Sequence, residues 1–386
     1  MKKKISILGS TGSIGETTLK IVIKDYKNIE INTLIANSNI KKIIHQIRKF
    51  KPRNFVITDV NVFNKLKLNY KFKKTKLFNN YEKIRVRNDL TVIAIPGLAS
   101  LKPTIHFIKK SKKVLLANKE AIICGWDIIS SAAKKYKSTI IPIDSEHFSI
   151  AQLLKNHDHQ EVEKIFLTAS GGPFLNFTQK QMKKIKIHQA LNHPKWSMGK
   201  KISIDSATMV NKILELIEAS KIFSFSLKKF KIIIHPQSLV HAIVKFKSGI
   251  SKFLYHKPDM IIPISFAINE KNNQISKYLK KNQNSIENLN FFEIPKKNFP
   301  IINLLPKLDK YPSTPIIINA ANEILVDQFL HNKISFNSIS KYIFKVLKDK
   351  NYKKYAIQKA KNLNEIFKID SWARRTTIDK ILNKKQ

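Results

Sequence analysis

Acidic residues are scarce in this chain. Its 386 residues include 27 Asp and Glu against 71 Lys and Arg, a formal net charge of +44. Such an imbalance first suggests a polyanion partner. Arginine is scarcer still, with six against 65 lysines. The lysines are spread over the whole chain rather than gathered in one block. A surface that reads nucleic acid uses arginine for bidentate phosphate and base contacts. The charge therefore reads as lysine-rich composition, with no specific nucleic-acid site. Weak, salt-sensitive binding to polyanions still follows from it. There is one cysteine, Cys124, which excludes an intrachain disulfide and fits a reducing, cytoplasmic compartment. No run of about 18 uncharged apolar residues occurs, so no membrane span is expected. The basic start Lys2-Lys3-Lys4 leads into an apolar stretch too short for a signal peptide.

What is present is ample for packed cores. Hydrophobic residues make up 43%, and the length predicts two or three domains. Only nine glycines occur, yet three of them form Gly9-Ser10-Thr11-Gly12-Ser13-Ile14-Gly15. This turn sits between a predicted strand, Lys4 to Leu8, and a helical pattern from Thr17 to Ile23. Strand, glycine turn and helix make a variant of the dinucleotide fingerprint, with the helix N-terminus facing a pyrophosphate. The second strand, Ile31 to Ala36, ends in Asn37-Ser38-Asn39. An NAD site usually has an acidic residue there. Small polar groups, with Lys41 and Lys42 just beyond, suit a 2′-phosphate and hence NADP. Further strands are read at Phe55–Ile57, Thr91–Ile95 and Val114–Ala117, the last ending in Asn118-Lys119-Glu120. Polar groups at the carboxyl ends of parallel strands point into the ligand crevice, although Asn118 also suits a helix cap.

The apolar run Thr139-Ile140-Ile141 leads to Asp144-Ser145-Glu146-His147. Read as the end of a strand, it puts Asp144 and Glu146 on one side by alternation. Two carboxylates so placed suit a hard divalent cation or are simply solvated. The strand Lys164–Thr168 precedes Ser170-Gly171-Gly172-Pro173-Phe174, an anion-holding turn or an ordinary one. His193-Pro194-Lys195-Trp196-Ser197-Met198-Gly199 suits a flap over a ligand. Asp205 to Glu215 reads as one helix from a polar cap, with Asn211, Lys212 and Glu215 on one side. Lys212 and Glu215 form either a surface salt bridge or part of a phosphate clamp (Ser206, Asn211, Lys212) beside a third metal carboxylate. Ile232–Ile234 and the stretch after His235-Pro236-Gln237-Ser238 read as a strand pair, with His235 and His241 either structural or supporting the ligands from behind, rather than direct ligands.

The expected architecture is α/β. A Rossmann-like doubly wound domain spans residues 1–144 and an α+β catalytic domain spans 145–269, with a helix from Ile261 to Ile268. An extended linker spans 270–311, and a small C-terminal helical domain with Asn319-Ala320-Ala321-Asn322-Glu323 spans 312–386.

Together these motifs, in this order and over nearly the whole chain, resemble the 1-deoxy-D-xylulose 5-phosphate reductoisomerase family. The resemblance implies NADPH as cofactor, with Thr11, Gly12, Ser13, Ile14, Asn118, Glu120 and Gly199 matching its positions; Asn37, Ser38 and Asn39 are cofactor candidates from their place at the second strand end. It implies a divalent metal, Mg²⁺ or Mn²⁺ with Co²⁺ as a further candidate, on Asp144, Glu146 and Glu215. Lys119, Ser145, Glu146, Ser170, His193, Ser206, Asn211, Lys212 and Glu215 match substrate positions, and Glu146, Lys119 and His193 are the expected catalytic groups. A phosphorylated small-molecule substrate and a homodimer are implied, with no specific nucleic acid and no membrane. The implied chemistry is a skeletal rearrangement followed by hydride delivery from NADPH. Two departures stand out. Asn37-Ser38-Asn39 replaces the usual Gly, then Lys or Arg, then Asn. The segment between Tyr311 and Asn319 is about one helix shorter than usual.

Two competing readings are weighed against this one. A semialdehyde dehydrogenase begins with a similar glycine turn and needs a nucleophilic cysteine, for which Cys124 is the only candidate. A Lys-rich polyanion binder gives no reason for three placed carboxylates.

Overall fold

The computed structural model describes residues 2–24, 27–196, 198–269 and 288–383. The chain divides into two compact units. The first comprises residues 1–121, 127–144 and 259–284, and the second comprises 122–126, 145–258 and 285–386.

The first unit is built on seven strands: β1 (Lys3–Leu8), β2 (Ile29–Ala36), β3 (Asn54–Ile57), β4 (Lys76–Phe78), β5 (Asn88–Ile93), β6 (Ser111–Leu116) and β7 (Thr139–Pro142). Their order is β4-β3-β2-β1-β5-β6-β7, and every pairing is parallel. β1 is central and β2 and β5 flank it, so the order reverses at β1 and opens a ligand crevice beyond its carboxyl end. The strands are continuous apolar runs because both faces are covered. Ile5, Ile7, Leu34, Phe55, Ile57 and Val92 are fully buried. Each such side chain contributes roughly 1.5–3 kcal/mol of hydrophobic free energy. The helix Ile261–Ile268 also belongs here, with Ile264, Ala267 and Ile268 in this core. It was expected with the catalytic domain. Sequence order misleads because the chain returns to the first unit after Pro258.

The second unit carries a four-stranded sheet of β8 (Val162–Ala169), β9 (Phe230–Ile234), β10 (Val240–Phe246) and β11 (Ser251–Tyr255), in the order β11-β10-β8-β9. The expected pairing of Ile232–Ile234 with the stretch after His235 does not occur. β8 lies between β9 and β10, parallel to the first and antiparallel to the second. Helices Thr314–Leu330, Phe336–Leu347 and Leu363–Leu382 pack together as a C-terminal layer. Part of the expected linker, 270–287, lies outside the described residues. Its remainder is not extended chain. Phe292 bridges Ile234, and Pro300–Lys307 forms a 3₁₀ helix with Ile301 and Leu304 fully buried. The apolar runs there are core residues on irregular backbone, which has no periodicity to read.

Among the described residues no helix is long and apolar enough to cross a membrane.

Candidate active site

In the first unit the glycine turn closes against its neighbours. Gly9 has φ 82, and a Cβ on it would meet Ala94 O at 2.4 Å, so only glycine fits. Gly12 is different. A Cβ there would meet nothing nearer than Gly9 O at 3.5 Å. The fold does not demand glycine at Gly12, so its small size leaves room for a ligand. Gly12 and Ser13 are exposed, and Ser13 begins the helix Ser13–Lys24. The turn is bolted from the helix Ile40–Phe50, a contact the sequence reading missed. Buried Gln46 donates to Ser10 O at 2.9 Å and accepts from the Ser10 hydroxyl at 2.7 Å. Lys42 Nζ reaches Glu16 at 2.7 Å and Thr11 O at 3.2 Å. Asn37, Ser38 and Asn39 are exposed, and Asn39 caps Ile40–Phe50 by accepting from Lys42 N.

Asn118 both caps and bridges. Its Oδ1 accepts from Ala121 N at 2.6 Å, while its Nδ2 donates to Ile95 O at 2.7 Å and to Glu120 at 2.9 Å. The expected strand end at Ile95 falls at Ile93, leaving Ile95–Gly97 as the loop that Asn118 holds. Lys119 is buried and pairs with Asp144 at 3.1 Å.

Asp144 and Glu146 do not share a strand side. β7 ends at Pro142, where its partner β6 also ends at Leu116, and a helix begins at Ser145. With no further neighbour to pair with, the backbone leaves the sheet, and the helix turn sets the direction of Glu146.

In the second unit the expected helix from Asp205 is two helices. Lys200–Ala207 stops, Met209 takes a left-handed φ of 64, and Val210–Phe223 starts anew. Ser206 therefore lies in the helix before the break, and Asn211 and Lys212 lie after it. Lys212, Glu146 and Glu215 are buried, so the surface salt-bridge alternative fails. The Lys212 ammonium pairs with both carboxylates, and Asn211 donates to Glu215. Ligand oxygens of Glu146 and Glu215 lie within 4.8 Å of each other. Burial alone raises the Glu146 carboxyl, but the Lys212 charge and hydrogen bonds from Lys212 and Ser145 hold it well below the usual carboxylate range. Burial likewise lowers Lys212, yet Glu146 and Glu215 together raise it above an ordinary lysine. The result is one carboxylate held anionic and one ammonium held cationic, with Glu215 paired to that same ammonium.

His193 lies beside this cluster as a neutral group. Its Nδ1 accepts from Lys195 N at 3.1 Å and Trp196 N at 3.0 Å, so Nε2 carries the proton and donates to Ser170 Oγ at 3.0 Å. Burial, then the Lys212 charge, pushes the imidazole down to about 4. Ser170 also accepts from Gly172 N at 3.0 Å, which leaves its own hydrogen for a ligand. Trp196 packs edge-on to His241 at 6.0 Å; Ser197, between Trp196 and Met198, lies outside the described residues. Gly199 precedes the first residue of Lys200–Ala207 as its cap. His235 is structural, as expected, accepting from Leu239 N and bonding Asn290 O. His241 stacks on His256 at 4.1 Å, and burial pushes it down to about 3. The reading gave His147 no role of its own; its Nε2 lies 3.0 Å from Glu215 O and its Nδ1 lies 3.6 Å from Glu218. These pairings join residues far apart in sequence and leave no local signal.

His193 and His241 fold neutral, whereas unfolded histidines bind protons below about pH 6.5. Protons taken up only by the unfolded chain favour unfolding. Stability is therefore expected to fall as pH is lowered from about 6.5 to 5. Urea melts across that window check this, and a rise in stability on acidification contradicts it.

Cys124 is 7% exposed inside the helix Lys119–Tyr136, a poor setting for a nucleophile.

Comparison with known proteins finds relatives over nearly the whole chain. The profile described as 1-deoxy-D-xylulose 5-phosphate reductoisomerase matches residues 5–125, and two profiles for C-terminal domains of the same enzyme match 140–223 and 256–376. The Pelagibacter ubique 1-deoxy-D-xylulose 5-phosphate reductoisomerase is 44% identical over 377 residues, 96% of this chain and 97% of its own length. The chain belongs to the 1-deoxy-D-xylulose 5-phosphate reductoisomerase family. The Ehrlichia canis reductoisomerase is 38% identical over 98% of this chain and 100% of its own. Among solved structures, a reductoisomerase in complex with NADPH, fosmidomycin and magnesium superposes with a TM-score of 0.90 at 31% identity, covering 100% of this chain and 99% of that one. The Zymomonas mobilis reductoisomerase in complex with NADPH gives 0.86 at 32% identity, covering 99% of each chain.

Proposed function

We propose that this chain rearranges and reduces 1-deoxy-D-xylulose 5-phosphate to 2-C-methyl-D-erythritol 4-phosphate, as an NADPH- and divalent-metal-dependent oxidoreductase of isoprenoid biosynthesis. The observation that carries this reading is the buried Glu146–Lys212–Glu215 cluster in a chain that matches the family end to end. It leaves no place for the semialdehyde dehydrogenase reading.

The donor set fits a hard cation. Asp144, Glu146 and Glu215 offer carboxylate oxygens, which suit Mg²⁺ or Mn²⁺. The open space above Gly12 and the helix start at Ser13 suit a pyrophosphate. When bound, the metal supplies electrostatic stabilisation of charge developing on substrate oxygens, and NADPH supplies the hydride.

This chain's own residues do the rest. Ser206, Asn211 and Lys212 hold the substrate phosphate, so a cleaved fragment is not lost. His193 donates from Nε2 as a neutral group and does not shuttle protons through Nδ1, which is held by two backbone N–H groups. Glu146, held anionic, acts as a ligand more readily than as a base. Lys119, paired with Asp144, is a placed cationic donor. A homodimer and a cytoplasmic location belong to the same reading. Support for the dimer is the edge strand of the second sheet, β11, which has no second partner strand among the described residues and carries Phe253 at 48% exposure with Ile250 beside it at 57%.

The test is NADPH oxidation with 1-deoxy-D-xylulose 5-phosphate and Mn²⁺, with and without chelator. Oxidation abolished by chelator supports the reading, and no oxidation by folded protein rejects it.

Cofactor preference gives a second test. Ser38 supplies no charge for a 2′-phosphate, while half-exposed Lys42 sits against the glycine turn. Ser38→Lys is expected to tighten NADPH about three- to tenfold and to leave NADH unchanged. Titration calorimetry with both nucleotides checks this. Unchanged NADPH affinity would mean that Lys42 already meets the need.

A further inference from the structure

The motif Asn319-Ala320-Ala321-Asn322-Glu323 has no part in the chemistry above. It lies inside the helix Thr314–Leu330, and Asn319 and Asn322 are fully buried. Asparagine is a poor helix-interior residue, and a buried amide is costly without partners. Two of them three residues apart in one helix core therefore call for a reason.

The reason lies in the helix Lys200–Ala207. Asn322 Nδ2 donates to Asp205 Oδ1 at 2.7 Å. The other Asp205 oxygen takes the Lys201 ammonium at 2.8 Å. Asp205 is 1% exposed and sits in the last turn of its helix, where the dipole disfavours a carboxylate. Burial and dipole both oppose it, so the amide and the ammonium define where this carboxylate can rest. Ser206 follows directly. Its backbone supports the anion-holding turn, since a Cβ on Gly172 would meet Ala207 Cα at 3.3 Å and Ser206 O at 3.4 Å. Thr208 then bonds Ile204 O and Asp205 O, Met209 turns left-handed, and Asn211 and Lys212 begin the next helix. Asp205 is thus the anchor of the turn that carries Ser206, Asn211 and Lys212. The anchor point itself is braced. Glu323, next to Asn322, pairs with Arg374 of the helix Leu363–Leu382, and Asn319 donates to Glu323 at 3.3 Å.

We propose that Asn322 and Asp205 are positioning residues for phosphate recognition, through which the C-terminal helices set the placement of Ser206, Asn211 and Lys212. This rests on reading those three residues as the phosphate clamp. It assigns the C-terminal layer a role in substrate affinity and not only in stability.

The experiment compares Asn322→Ala, Asp205→Asn, the exchanged pair Asp205→Asn with Asn322→Asp, and Ser206→Ala. Readouts are KM for the phosphorylated substrate, inhibition by inorganic phosphate, KM for NADPH and the melting temperature. Asn322→Ala is expected to raise the substrate KM and the phosphate inhibition constant together, by about tenfold, with the NADPH KM within about twofold. The exchanged pair, which keeps one amide and one carboxylate in contact, is expected to recover most of both losses. It also carries the test if Asn322→Ala does not fold. A lower melting temperature with unchanged substrate KM and phosphate inhibition overturns the proposal, as does an exchanged pair that folds without recovery. If Ser206→Ala also leaves phosphate inhibition unchanged, the clamp reading itself falls, and the positioning role with it.

Discussion

Glu215→Gln is expected to lower metal-dependent turnover by about three orders of magnitude while leaving the fold intact. Gln keeps the shape and an acceptor oxygen for Asn211, so the helix Val210–Phe223 has no packing reason to move. What it loses is one of the carboxylate charges offered to a cation. Because Glu215 is 1% exposed, water cannot replace that charge. The variant should bind Mn²⁺ much more weakly in calorimetry and oxidise NADPH only marginally at saturating substrate. The NADPH affinity should be unchanged, since Glu215 is not among the residues at cofactor positions. A variant with normal turnover and normal Mn²⁺ affinity would remove Glu215 from the ligand set.

Lys212→Met should produce the largest combined effect. The ammonium is the cation paired with both Glu146 and Glu215. Removing one partner of a buried charge network costs about 3–5 kcal/mol, because the remaining charges stay buried without compensation. The substrate KM should rise by about two orders of magnitude as the phosphate loses a charged donor. A pH signature accompanies this. In the native chain Glu146 is held below its ordinary value, so its contribution to stability is present above that value and is lost as pH falls through the lowered one. Without Lys212, burial dominates and the carboxyl rises. The acid limb of stability should therefore move to higher pH in the variant. Melts from neutral to acid pH, with and without Mn²⁺, check the sign. An acid limb that stays in place would show that Lys212 does not set the ionisation of Glu146.

Parts of the candidate site were legible in the sequence, for specific reasons. The glycine turn announces itself because only glycine tolerates φ 82 against Ala94, and its spacing between strand and helix is local. Asp144 and Glu146 were legible as a carboxylate pair, but the geometry inferred for them was wrong. Strand alternation was applied past Pro142, and only the end of the β6 partner shows where the strand stops. The helix break at Met209 was hidden as well. Nothing about methionine predicts a left-handed φ, yet buried Met209 adopts one.

While β4 and the return of the helix Ile261–Ile268 to the first unit stayed hidden, the sequence by itself determined the parallel α/β character of that unit, six of its seven strands and the family. These depend on local periodicity and short motifs, which a linear chain displays. Only the tertiary structure decided that Lys212 lies between two buried carboxylates, that His193 presents Nε2 rather than Nδ1, that β8 separates β9 from β10, and that Asn322 reaches Asp205. Each of those facts is a contact between segments tens of residues apart or more, or a hydrogen bond that selects one proton position. Such contacts arise when apolar faces collapse and bring their few polar groups together; the Lys212–Glu215 pair lies within one turn of sequence, but Glu146 and Asp205 meet their partners from 66 and 117 residues away.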